Sequence, residues 1–116
     1  MKKIKFTVNG KTVFAQFEEN KTTAALIKKM PCTIKFRDLF SREKCHNYLL
    51  PLPNDNAPMR SYEVGEIAYW PPMHSLVIFY VQNGEQINLQ SIGKLENGLE
   101  NFSLPGTIKA TFELAD

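Results

Sequence analysis

The stretch KIKFTVNGKTVFAQF, residues 3–17, constrains the fold more than any other. Ile4, Phe6 and Val8 alternate with polar residues, as do Val13, Ala15 and Phe17. Between the two runs lies Asn9-Gly10, a pair that tolerates the positive φ of a tight two-residue turn. That turn dictates the register: Phe6 faces Val13 and Ile4 faces Ala15 on one apolar face. Phe14 falls on the other face beside Lys5, so its ring needs cover from elsewhere or remains partly exposed.

The rest of the chain reads as more short strands. NKTTAALIKKMP is a short helix capped by Asn20 or Thr22, with an apolar stripe of Leu26, Ile27 and Met30 and with Lys28 and Lys29 facing water. Pro31 ends it, because the residue before a proline avoids the α region. CTIKFRDL alternates again, with Cys32, Ile34 and Phe36 on one face. Residues 38–61, which hold Pro51, Pro53 and Pro58, read as a long irregular segment, either a functional loop or a packed cover over one end of the core. YEVGEIAYW is a strand bulged at Gly65 and broken by Pro71-Pro72. SLVIFYV has no alternation and suits a strand buried on both faces. Asn83-Gly84 predicts a second hairpin turn leading into EQINLQ. SIGKL, a short helical GLENF, a turn at Pro105-Gly106 and the strand TIKATFEL complete the chain. The expectation is one mainly β domain over residues 1–116: a closed barrel of about eight strands with two short helices, an architecture that leaves few unpaired edges.

Composition narrows the function. The chain is 43% hydrophobic and 22% charged, ordinary for a globular domain. No apolar run approaches the roughly 20 residues of a membrane-spanning helix. No apolar core follows the lysines of MKKIKFTVNG, so a secretory signal is not expected and the cytoplasm is the expected compartment. There Cys32 and Cys45 stay reduced. The net charge of +2 does not call for nucleic acid. Residues 1–45 carry 11 basic and 4 acidic side chains against 3 and 8 in residues 46–116. Folding can interleave these halves, or the lysine-rich strands can form an interaction face. Cys32, Cys45, His46 and His74 match no zinc spacing, so no metal is expected. There is no dinucleotide fingerprint, phosphate loop or nucleophile elbow, and no cofactor is expected.

Three separated segments carry a resemblance: GEIAYWPPMHSLVIFY, SIGKLENGLENF and DLFSREKCHNYLLPLP. Together they resemble the small microbial cyclophilin-like domain family, in the same order and over nearly the whole chain. Glu66 stands where that family usually has Asp. The resemblance implies a closed barrel like that of the cyclophilin peptidyl-prolyl isomerases. GKLENGLENF is similar to a segment of those larger enzymes, and VIFY resembles a strand that would put Tyr80 near their pocket phenylalanine. Their catalytic arginine in a Phe-x-Arg-x-Ile-Pro context, and their Gln-Gly-Gly-Asp-Phe run, do not occur here.

The expected function is therefore binding of a small ligand or peptide in an aromatic pocket, with catalytic residues unassigned. The alternative is a weak prolyl isomerase. Alternation puts Tyr69 and Trp70 on opposite faces, and likewise Phe79 and Tyr80. The ligand-binding candidates are Tyr69, His74, Tyr80 and Arg60. His74, in a loop after two prolines, can serve as a base or as an anion contact. Arg60 can reach a pocket rim from the long loop.

Overall fold

In the computed structural model, which describes residues 1–115, the Asn9-Gly10 turn joins β1 (Lys2–Val8) to β2 (Lys11–Phe17), with φ of 52° and 73° at its two residues. Phe6 pairs with Val13, Ile4 with Ala15 and Lys5 with Phe14, as the turn dictates. Lys3 Nζ lies 4.5 Å from the centroid of the Phe14 ring and supplies part of its cover. Helix α1 (Lys21–Lys28) comes next. The Asn20 side chain accepts from the Thr23 N–H at 2.9 Å, and the Thr23 hydroxyl oxygen accepts from the Asn20 N–H at 3.0 Å. This reciprocal pair satisfies two donors at the helix start.

The remaining strands are β3 (Cys32–Leu39), β4 (Glu43–Asn47), β5 (Met59–Arg60), β6 (Glu66–Trp70), β7 (Ser75–Phe79), β8 (Ile87–Asn88), β9 (Gln90–Leu95) and β10 (Ile108–Leu114). Eight of them close an antiparallel barrel in the order β1-β10-β3-β4-β7-β6-β9-β2, while β5 and β8 form a separate two-stranded ribbon. Leu76 and Ile78 of β7 point into the main core with Phe6, Phe36, Phe102 and Phe112. Val77 and Phe79 point outward into a second apolar cluster with Cys45, Tyr62, Ala68 and Leu89. Every residue of β7 is buried, as its unbroken apolar run requires. Among the described residues no helix is long and apolar enough to cross a membrane.

Four expectations need correction. The segment 38–61 is not irregular throughout: β4 is a wall strand paired with β3 and β7. Its residues EKCHN lack apolar alternation because its inward Lys44 and outward Glu43 are buried through ion pairs instead. YEV is not strand; β6 starts at Glu66, Gly65 sits in the preceding turn at φ 90°, and the bulge falls between Ile67 and Ala68. Asn83-Gly84 does not make a hairpin. Both flanks of β7 are taken by β4 and β6, so β8 pairs with β5. Finally, GLENF forms a single 3₁₀ turn, Leu99–Asn101, and a second such turn covers Pro71–Met73. There is thus one α-helix rather than two among the described residues.

Side-chain bonds seal both ends of the barrel. Residues 48–58 lie across one end, where the Leu52 N–H donates to the Tyr69 hydroxyl at 2.9 Å and the Thr22 hydroxyl to the Pro53 carbonyl at 2.5 Å. Elsewhere the fully buried Lys44 ammonium donates to Asp38, at 3.1 Å, and to the carbonyls of Leu104 and Gly106. Burial alone would push the Asp38 carboxyl up, but hydrogen bonds from Tyr80 and Lys44 and the lysine's charge hold it below its ordinary value. The Tyr80 phenol is pushed up to about 12, by burial first and then by its bond to Asp38.

Both the closure and this cluster are open to measurement. A Cβ on Gly93 would lie 2.1 Å from the Gln16 carbonyl oxygen, across the β2–β9 seam. Gly93→Ala is expected to cost about 3 kcal/mol in urea unfolding. Because the Tyr80 pKa is raised in the fold, its contribution is complete below the ordinary tyrosine value and is lost as pH rises toward about 12. Asp38→Asn is expected to lower that pKa, read as earlier phenolate absorbance in an alkaline titration.

Candidate functional site

The outer apolar cluster is incompletely covered, and an open pocket of about 140 Å³ remains over it. Its walls are Trp70 from the end of β6, Val77 and Phe79 of β7, Leu39 of β3, and Ile87 and Leu89. Tyr62 stacks on Phe79 with centroids 3.8 Å apart and planes 14° from parallel. The polar groups at this pocket are Arg42, Glu43 and Glu85.

Arg42 reaches the pocket through an unusual turn. Phe40 and Ser41, between β3 and β4, have φ of 57° and 50°. A bulky residue at positive φ is a conformational outlier, and such positions typically cost about 1–3 kcal/mol each. The turn is held by the Arg42 N–H donating to the Leu39 carbonyl at 3.1 Å and the Ser41 N–H donating to Asp38 at 3.1 Å. The Arg42 carbonyl accepts from Tyr80 N–H at 2.9 Å, tying the turn to the end of β7.

The guanidinium is almost wholly desolvated. The Arg42 side chain is 7% exposed, with Cζ 5.5 Å from the Phe40 ring centroid and 5.9 Å from those of Tyr62 and Phe79. Its Nε donates to Glu43 Oε1 at 2.6 Å, and its terminal nitrogens bond Glu43 and Glu85. The two carboxylates differ: Glu43 is 6% exposed and Glu85 56%. Burial pushes the Glu43 carboxyl up against the pull of Arg42. The arrangement offers a fixed cation beside an apolar, aromatic surface, suited to holding a carbonyl or an anion whose apolar neighbour fills the pocket.

The four residues singled out by sequence do not converge there. Tyr69 is fully buried inside the barrel with its hydroxyl engaged by Leu52; Trp70, its neighbour, faces the pocket. Tyr80 bonds Asp38, and Phe79 is the residue at the pocket. His74 caps a 3₁₀ turn at φ 54° with Nδ1 3.3 Å from the Tyr48 carbonyl oxygen. Arg60 makes a two-pronged bond to Glu66, at 2.6 and 3.2 Å, and donates to Ser91 at 3.0 Å in a separate polar hollow. Among the described residues no three His, Cys, Asp or Glu side chains are grouped to hold a metal. Arg42 was hidden because Phe-Ser holds no Gly, Asn or Asp to announce two successive positive-φ residues. The one available signal was the charged triplet Arg42-Glu43-Lys44 between apolar runs.

The strain at the turn is testable. Replacing Phe40-Ser41 by Asn-Gly is expected to raise stability by about 1 kcal/mol in chemical denaturation. Phe40 is 78% exposed, so the packing lost is chiefly its contact with the Arg42 guanidinium.

Comparison with known proteins bears on the whole chain. A family profile described as the cyclophilin-like family matches residues 6–113. A search of the curated proteins finds no match. Among solved structures, the chain is similar to the hypothetical protein AF2241 from Archaeoglobus fulgidus, known from its solution structure. The TM-score is 0.75 at 14% identity, over 98% of this chain and 95% of that one. At that identity the likeness concerns the fold, and it agrees with the closed barrel. With the profile spanning the barrel from β1 to β10, this chain belongs to the cyclophilin-like family.

Proposed function

We propose that this barrel binds a small molecule or peptide segment in the outer pocket, an apolar group resting on Trp70, Val77 and Phe79 while Arg42 holds an adjacent oxygen. The observation that carries the reading is the desolvated guanidinium at an open, aromatic-walled pocket, reached through a strained turn. Burial of an ion pair contributes little to stability on its own, so its placement at a cavity calls for a use. Tyr69, His74, Tyr80 and Arg60 hold the scaffold in this reading. The compartment is the cytoplasm, where the free thiols of Cys32 and Cys45, both pushed up by burial, stay reduced.

A second reading, weak prolyl isomerisation, is favoured by the same guanidinium. Lowering a barrier of about 20 kcal/mol needs a dry seat for the proline ring and a donor to its amide nitrogen. Arg42 is the donor placed beside such a seat.

Trp70 is the sole tryptophan and lines the pocket, so it reports occupancy directly. Titration with N-acetyl-alanyl-proline amide is expected to give a saturable fluorescence change. Arg42→Gln combined with Glu43→Gln removes the ion pair without leaving a buried charge unpartnered, and is expected to weaken that binding about tenfold. Arg60→Ala and His74→Ala are expected to leave it unchanged. A flat titration of the parent protein with this peptide and with every acid and amide probe named below would sink the binding reading. Exchange NMR on the same peptide decides the second: cis–trans exchange no faster than in buffer rejects it.

A further inference from the structure

Arg42 is shared by two carboxylates of very unequal burial, and this asymmetry says what the pocket is built to accept. Glu43 is enclosed and bonds the guanidinium through Nε, fixing its orientation. Glu85 reaches the guanidinium from residues 81–86, a segment exposed throughout. The backbone of that segment is anchored independently of the Arg42 side chain, beginning with the Val81 N–H, which donates to the Arg42 backbone carbonyl at 3.2 Å. The Glu85 N–H donates to Asn83 Oδ1 at 3.0 Å, and the Tyr62 hydroxyl donates to the same oxygen at 2.9 Å. The Gly84 N–H donates to Gln82 at 2.6 Å. Glu85 can therefore leave Arg42 by rotating its side chain alone, without unravelling the loop.

We propose that the occupant of this pocket carries a carboxylate next to a short apolar group, and that its carboxylate takes the place of Glu85 on Arg42. The inference rests on the binding reading above and names the ligand class. Two considerations support it. Exchange of one carboxylate for another keeps the local charge unchanged, whereas a neutral ligand that displaces Glu85 leaves the guanidinium with one fewer charged partner. Arginine presents parallel donors that suit a carboxylate, and desolvation by Phe40, Tyr62 and Phe79 strengthens those bonds. Beneath them Trp70, Val77 and Leu89 offer mostly apolar surface, which suits a hydrophobic group attached to the carboxylate. Such an acid can be a free small molecule or the C-terminus of a peptide, and both share this chemistry.

The experiment compares acids with amides by Trp70 fluorescence. The probes are 3-phenylpropionate and its amide, and a tetrapeptide ending in leucine with a free or an amidated C-terminus. Each acid is expected to bind about tenfold more tightly than its amide. Glu85→Gln, which removes the competing charge from an exposed position, is expected to tighten acid binding about tenfold and to change binding of the neutral proline amide much less. A preference confined to the phenyl acid identifies a small-molecule site, and one shared by the peptide acid identifies a C-terminus site; either supports the proposal. If acids and amides bind equally, or if Glu85→Gln leaves acid affinity unchanged, the carboxylate proposal is wrong while the binding reading stands. If no probe binds, the neutral proline amide included, both fall together.

Discussion

Three residue pairs, Ala15 with Leu95, Gln16 with Lys94 and Phe17 with Gly93, close the barrel, and everything else depends on that seam. The glycine is what permits it, because its missing Cβ leaves room for the Gln16 carbonyl. Once closed, each wall strand has one face inside and one outside. The inside is filled by aromatic rings packed edge-on and stacked, as with Phe6 against Phe102 and Phe112 at 5.7 and 5.6 Å. Cys45, Ala68, Trp70, Val77 and Phe79 make an apolar patch on the outside of β4, β6 and β7 too, and closure leaves it with no sheet to pack against. The segments carrying Tyr62, Ile87 and Leu89 supply a partial cover, and the pocket is the part left open.

Two costs are concentrated at that opening. One is desolvation of Arg42 and Glu43, whose mutual attraction offsets rather than exceeds the loss of water. The other is the positive φ of Phe40 and Ser41, which holds the arginine over the pocket. Lys44 makes a useful contrast. It is equally buried, but its ammonium is engaged by Asp38 and two backbone carbonyls. That lysine ties β4 to Asp38 and to the β9–β10 connection, and it does not line the pocket that Arg42 lines. Burial of charge alone thus does not mark a site; burial of charge at an apolar opening does.

The legible parts of the fold were those with a local physical cause. Asn9-Gly10 set both its turn and the β1–β2 register, Asn20 capped its helix, and the unbroken run of β7 announced a strand buried on both sides. The features that failed to show were decided by partners distant in sequence. β4 reads as polar because its inward Lys44 is held by carbonyls of the β9–β10 connection, which lies 60 and 62 residues further along the chain. Asn83-Gly84 has the chemistry of a hairpin turn, but β7 had no free edge to offer β8. The candidate site suffered most. Alternation correctly split Tyr69 from Trp70, yet nothing local says which of the two lies inside a barrel. Arg60 carried the favourable loop context and is paired with Glu66, whereas Arg42 sits directly after two residues whose torsions no propensity would have assigned.

The absent Phe-x-Arg-x-Ile-Pro context acquires a different meaning beside this geometry. That pattern describes one sequence context for such an arginine. Here the arginine comes from the turn between β3 and β4, in the context Phe-Ser-Arg-Glu, and a motif search sees nothing. Chemistry depends on where the charge sits relative to dry surface and not on which segment delivers it. The immediate neighbour then becomes decisive. Glu43 directly succeeds Arg42 and is buried with it, so the guanidinium is already half neutralised and held in orientation before anything binds. Such a cation is a weaker electrophile toward a neutral amide than an unpaired arginine would be. It remains a well-directed partner for a second anion, the role that the exposed Glu85 fills in this structure.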